Sequence, residues 1–280
     1  MSQATLYDSF RTRLRNSLDH KRSALYWFRK ARYLLVQGPW QPLVVRWYQM
    51  TTRNPPMPVA AESLFAPIDP GAIAGRLDYE AYSPGFRVPE PMVDEIVRYV
   101  RGDGARWIDN PHHVCPAIHR IAHDPAIVAV ARRYLRAEPI LLETRTYWTL
   151  PFPDQQGRVF HTADGGMFHY DVADVKSMTV FLYLTDVDAD SGPHVVIRGT
   201  QARRTPRQIL RRMLDDGTAE RLYRGRIETI LGPRGTGWFE DITCYHKQAH
   251  GTKVRLLLSF TYSLHRRPRP SKLDARVGGT

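Results

Sequence analysis

Cysteine is nearly absent: Cys115 and Cys244 are the only two, with no spacing that suits a disulfide framework or a cysteine-based metal site. Lysine is scarce as well, supplying six of the 40 basic residues and leaving arginine to carry the positive charge. No apolar run approaches the roughly 18 residues a membrane span requires. The N-terminal stretch MSQATLYDSFRTRLRNSLDHKR has no apolar core of the signal-peptide kind. Internal repeats are missing, which excludes a solenoid or propeller. These absences set the expectation of a cytoplasmic protein that is soluble or peripheral at the inner membrane.

What is present fits a folded enzyme-sized chain: 280 residues, 42% hydrophobic and 11% aromatic. The net charge of +12 comes from 40 Lys and Arg against 28 Asp and Glu. Guanidinium forks match carboxylates and phosphates, so an acidic metabolite, an anionic membrane surface and nucleic acid are the candidate partners. A GC-rich coding bias toward arginine explains the same excess without any function.

Residues 5–37 carry a helical pattern, with Leu25, Phe28, Leu34 and Leu35 near one face and Lys21, Arg22, Arg29, Lys30 and Arg32 around it. After Gly38-Pro39, residues 42–48 add Trp47 and Tyr48 beside Arg46. Such an arm suits an anionic membrane surface, although packing on its own domain is the commoner use. Residues 54–58, NPPMP, read as an extended linker. The expected division is therefore a basic, aromatic helical region over 1–60, a main domain over 61–265 and a loose tail over 266–280.

Within the main domain, Asp69-Pro70-Gly71 reads as a turn. Pro89-Glu90-Pro91 opens a helix through Met92, Val93, Ile96, Val97 and Val100, and Asp124-Pro125 opens another through Ile127, Val128, Ala131 and Leu135. From Pro139 the period shifts toward strands: 140–148, then 178–184 as a strand buried on both faces, then an acidic loop over 186–192. Short strands are expected at 194–197, 229–231, 237–239, 242–245 and 254–262, with a helix from Thr205-Pro206 to Leu214 between them. That spacing predicts an all-β barrel or jelly roll with flanking helices.

His169-x-Asp171 puts an imidazole and a carboxylate on one face if both lie on a strand. Two such neighbours and a third ligand from a distant strand can cap one face of an octahedral metal, the arrangement of non-haem Fe(II) oxygenases. His246, His194 and His250 compete for the third position. Tyr170 should point to the opposite face, Lys176 to solvent, and Tyr147 and Trp148 into the core. His112, His113 and His161 read as loop histidines.

Two stretches, FHYDVADVKSMTVFLYLTDVDADSGPHVVIRGT from Phe168 and GTGWFEDITCYHKQAHGTKVRLLLSF ending at Phe260, resemble the phytanoyl-CoA dioxygenase-like Fe(II)/2-oxoglutarate oxygenases. The pattern is His-x-Asp, a strand, an acidic loop ending near Gly-Pro, then an Asp, a His and an Arg matched by Asp241, His246 and Arg255. The resemblance covers roughly residues 85–264, with Arg198 departing from a frequent proline. It implies a double-stranded β-helix core with an N-terminal helical region, iron bound by His169, Asp171 and His246, and Arg255 on the distal carboxylate of 2-oxoglutarate. The implied reaction uses O2 and 2-oxoglutarate for hydroxylation, and the arginine-rich composition with the basic, aromatic N-terminal region points to an anionic small-molecule or lipid-linked metabolite, for example a Kdo sugar of a lipid A precursor, as its substrate. Oxidative demethylation of nucleic acid and a non-catalytic, metal-stabilised binding module are the alternatives.

Overall fold

The computed structural model describes residues 38–149, 152–153, 159–160, 166–201, 205, 209 and 212–265. Its centre is a pair of antiparallel strands, β7 (Ser177–Tyr183) and β13 (Arg255–Ser263), in which Leu258 faces Leu182 and Phe260 faces Val180. Both are rich in aromatic and aliphatic residues, and β7 is buried at every position, as a strand covered on both faces must be. Around them β1 (Tyr82–Arg87), β2 (Trp107–Asp109), β3 (Ile140–Thr149) and β11 (Thr236–Glu240) complete a six-stranded sheet in the order β1-β11-β7-β13-β3-β2.

Alternation divides that sheet between two cores. Met178, Val180, Leu182, Leu256, Leu258 and Phe260 share a large cluster with Val93, Ile96, Ile118, Ile127 and Val128. Those helical residues come from α3 (Glu90–Asp103), α4 (Pro116–Ala122) and α5 (Pro125–Leu135), which follow α1 (Gln41–Thr51) and α2 (Pro70–Glu80). Each fully buried Leu, Ile or Phe of this layer contributes about 1.5–3 kcal/mol. Phe181, Tyr183, Trp238 and Leu257, on the alternate positions, face inward with Val196 and Ile230.

Those last two belong to a smaller sheet, ordered β10-β8-β12-β6-β9. Its strands are β6 (Phe168–His169), β8 (His194–Ile197), β9 (Met213–Leu214), β10 (Ile227–Ile230) and β12 (His246–Gln248). The outer side is covered by Tyr170, Tyr245 and Ala219, the last on α6 (Asp216–Tyr223). Strands β4 (Phe152–Pro153) and β5 (Val159–Phe160) form a separate hairpin. Two facing antiparallel sheets, with α3, α4 and α5 outside the larger one and α6 outside the smaller, make a double-stranded β-helix.

Several expectations shift. Asp69-Pro70-Gly71 is a helix start, because Asp69 accepts from the Gly71 and Ala72 N–H groups and Pro70 occupies the first helical position. Residues 242–245 turn rather than extend, and the strand begins at His246. Of the helix expected from Thr205-Pro206 to Leu214, Ile209 is helical and donates its N–H to the Thr205 carbonyl at 3.0 Å, but Met213 and Leu214 pair with β6 as a strand; a separate helix, α6, follows, where Asp215 caps it through Thr218 N. Lys176 does not face solvent: its Nζ sits 2.9 Å from Asp78 Oδ1 and 3.9 Å over the Tyr134 ring. The expected helix over 5–37, His161 and the tail over 266–280 lie outside the described residues, as do most of the expected helix residues after Thr205.

Candidate metal centre

His169 ends β6, His246 begins β12, and the antiparallel register sets them directly opposite each other. The ring centroids are 4.7 Å apart. Asp171 is not on the strand, so alternation along a strand does not bring it in. Its backbone N–H donates to the Ile242 carbonyl at 2.8 Å, and this tether to the 242–245 turn returns the carboxylate to both rings. Asp171 Oδ2 lies 3.9 Å from His169 Nε2 and 3.6 Å from His246 Nε2. One nitrogen or oxygen from each of the three falls within 4.8 Å of the others.

The rings are pinned from behind. His169 Nδ1 lies 3.2 Å from the Met167 carbonyl and His246 Nδ1 lies 3.1 Å from the Cys244 carbonyl. A carbonyl only accepts, so each Nδ1 carries the proton and each Nε2 faces Asp171. Burial works against charge on His246, yet the hydrogen bond to Asp171 and the charges of Glu240 and Asp171 raise its pKa. Burial also opposes ionisation of Asp171, but the His246 hydrogen bond and the charges of His246, His169 and Arg212 hold it well below the usual carboxylate range. The two shifts are mutual: the carboxylate favours positive charge on the imidazole and the imidazole favours an ionised carboxylate. The Asp171 side chain is 52% exposed, so the centre opens to solvent on its side. Arg212 lines that opening, with Nη2 3.4 Å from Asp171 Oδ1 and 2.8 Å from the Tyr170 carbonyl.

The other candidate third ligands are placed elsewhere. His250 is exposed beyond β12. His194 stacks 5.4 Å from the His246 ring, but its Nε2 is directed to Glu240 Oε2 at 2.9 Å, too far off-line to count as a hydrogen bond. Tyr170 does point away, donating to the Ile209 carbonyl at 2.6 Å. His112 lies in the short 3-10 turn Pro111–His113 beside Thr144.

Arg255 opens β13 on the inward-facing register of Leu257 and is only 1% exposed. Its Nη1 donates to the Gly192 carbonyl at 2.7 Å, its guanidinium lies 5.7 Å over the Tyr183 ring, and its buried Nε has no hydrogen-bond partner. The Gly192 carbonyl is held by the acidic loop, where Asp188 takes Ser191 Oγ at 2.8 Å and pairs with Lys253. Gly251 lets the two loops touch, since a Cβ there would stand 2.2 Å from Gly192 N.

Glu240 was not legible as a site residue. It is fully buried beside Trp238, whose Nε1 donates to it at 3.1 Å, and its Oε1 lies 3.5 Å from His246 Nδ1 and 3.7 Å from Cys244 Sγ. Burial raises its pKa, but His194, His246 and Trp238 outweigh that and lower it. For His194 burial outweighs the Glu240 charge and lowers its pKa. The one available signal was the i, i+2 relation of Trp238 and Glu240 in GWFED, which puts a carboxylate on the inward face of a core strand.

No family model and no curated protein matches the sequence. Solved structures do share the fold. A crystal structure of EctD from S. alaskensis with bound Fe aligns with a TM-score of 0.54 at 18% identity, covering 80% of this chain and 90% of that one. EctD with 2-oxoglutarate and 5-hydroxyectoine gives 0.52 at 18% identity, over 80% and 93%. The non-heme alpha ketoglutarate dependent epimerase SnoN from nogalamycin biosynthesis gives 0.51 at 17% identity, over 69% and 84%. At these identities the likeness establishes the double-stranded β-helix architecture.

Proposed function

We propose that this chain is an Fe(II)- and 2-oxoglutarate-dependent dioxygenase that hydroxylates an anionic small-molecule or lipid-linked metabolite. The observation that carries the reading is the pairing of two imidazole Nε2 atoms and one carboxylate with a buried arginine whose Nε lacks a partner. The donor set fits iron: neutral imidazoles and a carboxylate suit Fe(II), and three protein ligands leave coordination positions open. Iron would be held by His169, Asp171 and His246. Arg255 fits the far carboxylate of 2-oxoglutarate, because a buried guanidinium fixed on one side by Gly192 presents its remaining donors to one anion. A binding module would give no reason for that orphaned donor. EctD and SnoN, whose structures are described with Fe, 2-oxoglutarate or alpha ketoglutarate, support the reading through the shared fold.

When bound, iron supplies oxygen activation coupled to decarboxylation of 2-oxoglutarate to succinate. The chain's own contribution is positional. The Met167 and Cys244 carbonyls fix the imidazole tautomers, the Ile242 carbonyl fixes Asp171, and Phe181, Tyr183 and Trp238 keep the interior dry. Arg212, beside the half-exposed Asp171, is suited to meet an anionic substrate at the opening. A sugar acid such as Kdo on a lipid A precursor has the required charge. Because Asp171 is a carboxylate rather than a small residue, hydroxylation is favoured over halogenation. Assignment to the phytanoyl-CoA dioxygenase-like family rests on the motif resemblance. The test is oxygen-dependent formation of succinate from 2-oxoglutarate by the iron-loaded protein. Succinate made equally well by Asp171→Ala would contradict the ligand assignment.

A further inference from the structure

The exposed apolar surface of the described residues is concentrated on α1. This helix is anchored inward by buried Val45, by the Tyr48 ring 4.7 Å from that of His265, and by Gln49 Nε2 donating to the Leu135 carbonyl at 2.9 Å. On the opposite side Leu43 is 72% exposed, Trp47 55% and Met50 56%, with Trp40 at the N-cap 43% exposed. At 3.6 residues per turn the four fall within about 80° of arc, a continuous stripe. The other large exposed apolar residues, such as Tyr79, Trp107 and Leu222, stand singly on separate elements, which is ordinary for any protein surface.

Charge says what covers the stripe. Arg46 and Arg53 are exposed along its edge. Between Asp19 and Glu62 the sequence has no acidic residue, while Lys21, Arg22, Arg29, Lys30, Arg32, Arg46 and Arg53 are all basic. A second copy of the same face would bring like charges together. An anionic bilayer supplies the complementary charge and an interfacial layer suited to tryptophan.

We propose that α1 is an interfacial helix that seats the protein on an anionic lipid bilayer through Leu43, Trp47 and Met50. The helix is also tied to the segment that leaves Asp171, with Gln41 Nε2 reaching the Val175 carbonyl at 3.5 Å. Docking would therefore hold the centre near the membrane surface, which deepens the lipid-linked substrate reading above and rests on it for that point alone.

The experiment is co-sedimentation of the full chain, without iron or 2-oxoglutarate, with vesicles of phosphatidylethanolamine and phosphatidylglycerol, against phosphatidylcholine vesicles. Binding to the anionic vesicles that weakens with salt is expected, together with a fall of about tenfold or more in partitioning for Leu43→Ser/Trp47→Ser/Met50→Ser at an unchanged melting temperature. If the triple variant folds poorly, Trp47→Glu alone should show the same direction. Equal partitioning of the variants, no binding at low salt, or self-association lost in the triple variant without vesicle binding would each overturn the proposal. Because no cofactor is present, any of these results leaves the oxygenase reading standing.

Discussion

The two sheets of the barrel make opposite contributions to the site. The small sheet, built from strands of two to four residues, brings His169 and His246 together and adds His194. The large sheet, built around strands of seven and nine residues, contributes Arg255 and Glu240, and both are buried. Placing a buried arginine on the better-packed sheet has a physical logic. A buried charge is costly unless its partner arrives in a fixed geometry, and β13 is tied on both sides, to β7 and β3. His169 and His246 sit on the smaller sheet, where the Met167 and Cys244 carbonyls hold their Nδ1 atoms, and Asp171 stands just beyond it.

The contrast is most sharply broken at Asp171, just beyond the small sheet. Asp171→Ala should reduce succinate formation to background and abolish tight Fe(II) binding, measured by metal content after desalting. Next, on the large sheet, Arg255→Gln should weaken 2-oxoglutarate binding by two orders of magnitude or more while Fe(II) binding is retained, as read by calorimetry with each ligand. Arg255→Lys should not restore affinity, since an ammonium cannot form the fork. Glu240→Gln tests whether the large sheet reaches across to the metal through His246. A loss of about 10- to 100-fold in metal affinity is expected, the usual effect of an outer partner on a ligating histidine.

The smallest effect should lie outside both sheets. Glu138 accepts from Arg132 Nε at 2.7 Å and from Met57 N, and although burial opposes it, the Arg132 hydrogen bond lowers its pKa from 4.5. A carboxylate depressed on folding stabilises the protein above its unfolded pKa and loses that contribution as pH falls through the folded value. Arg132 is substantially exposed, so solvent screening limits the pair to about 1 kcal/mol. Thermal melts of Glu138→Gln should show a small deficit at pH 7 that closes on acidification, with 2-oxoglutarate turnover unaltered.

The same contrast explains what could be read from the residues alone. β7, β13, α3 and α5 were legible because each is long enough to show its period, and α5 also carries its Asp124-Pro125 start. The small sheet was displaced at 242–245 and missed at 213–214, because two or three residues show no period. The His169-x-Asp171 spacing, and the resemblance that added His246 and Arg255, named residues of which the structure brings the first three together, yet the expected geometry of a shared strand face was wrong. Asp171 joins the rings through its N–H to the Ile242 carbonyl, a tether between segments 71 positions apart that no local pattern encodes. Glu240 and Gly251 were missed for a related reason: what each does depends on the segment it faces, Glu240 on His246 and Gly251 on Gly192.

The most direct test of the central claim joins the two sheets in one observation. Fe(II) and then 2-oxoglutarate are added anaerobically to the purified protein while the visible spectrum is recorded. A metal-to-ligand charge-transfer band should appear only with both additions, need far more 2-oxoglutarate in Arg255→Gln, and be absent in Asp171→Ala. A featureless spectrum from protein shown to hold one Fe(II) and saturating 2-oxoglutarate would contradict that claim.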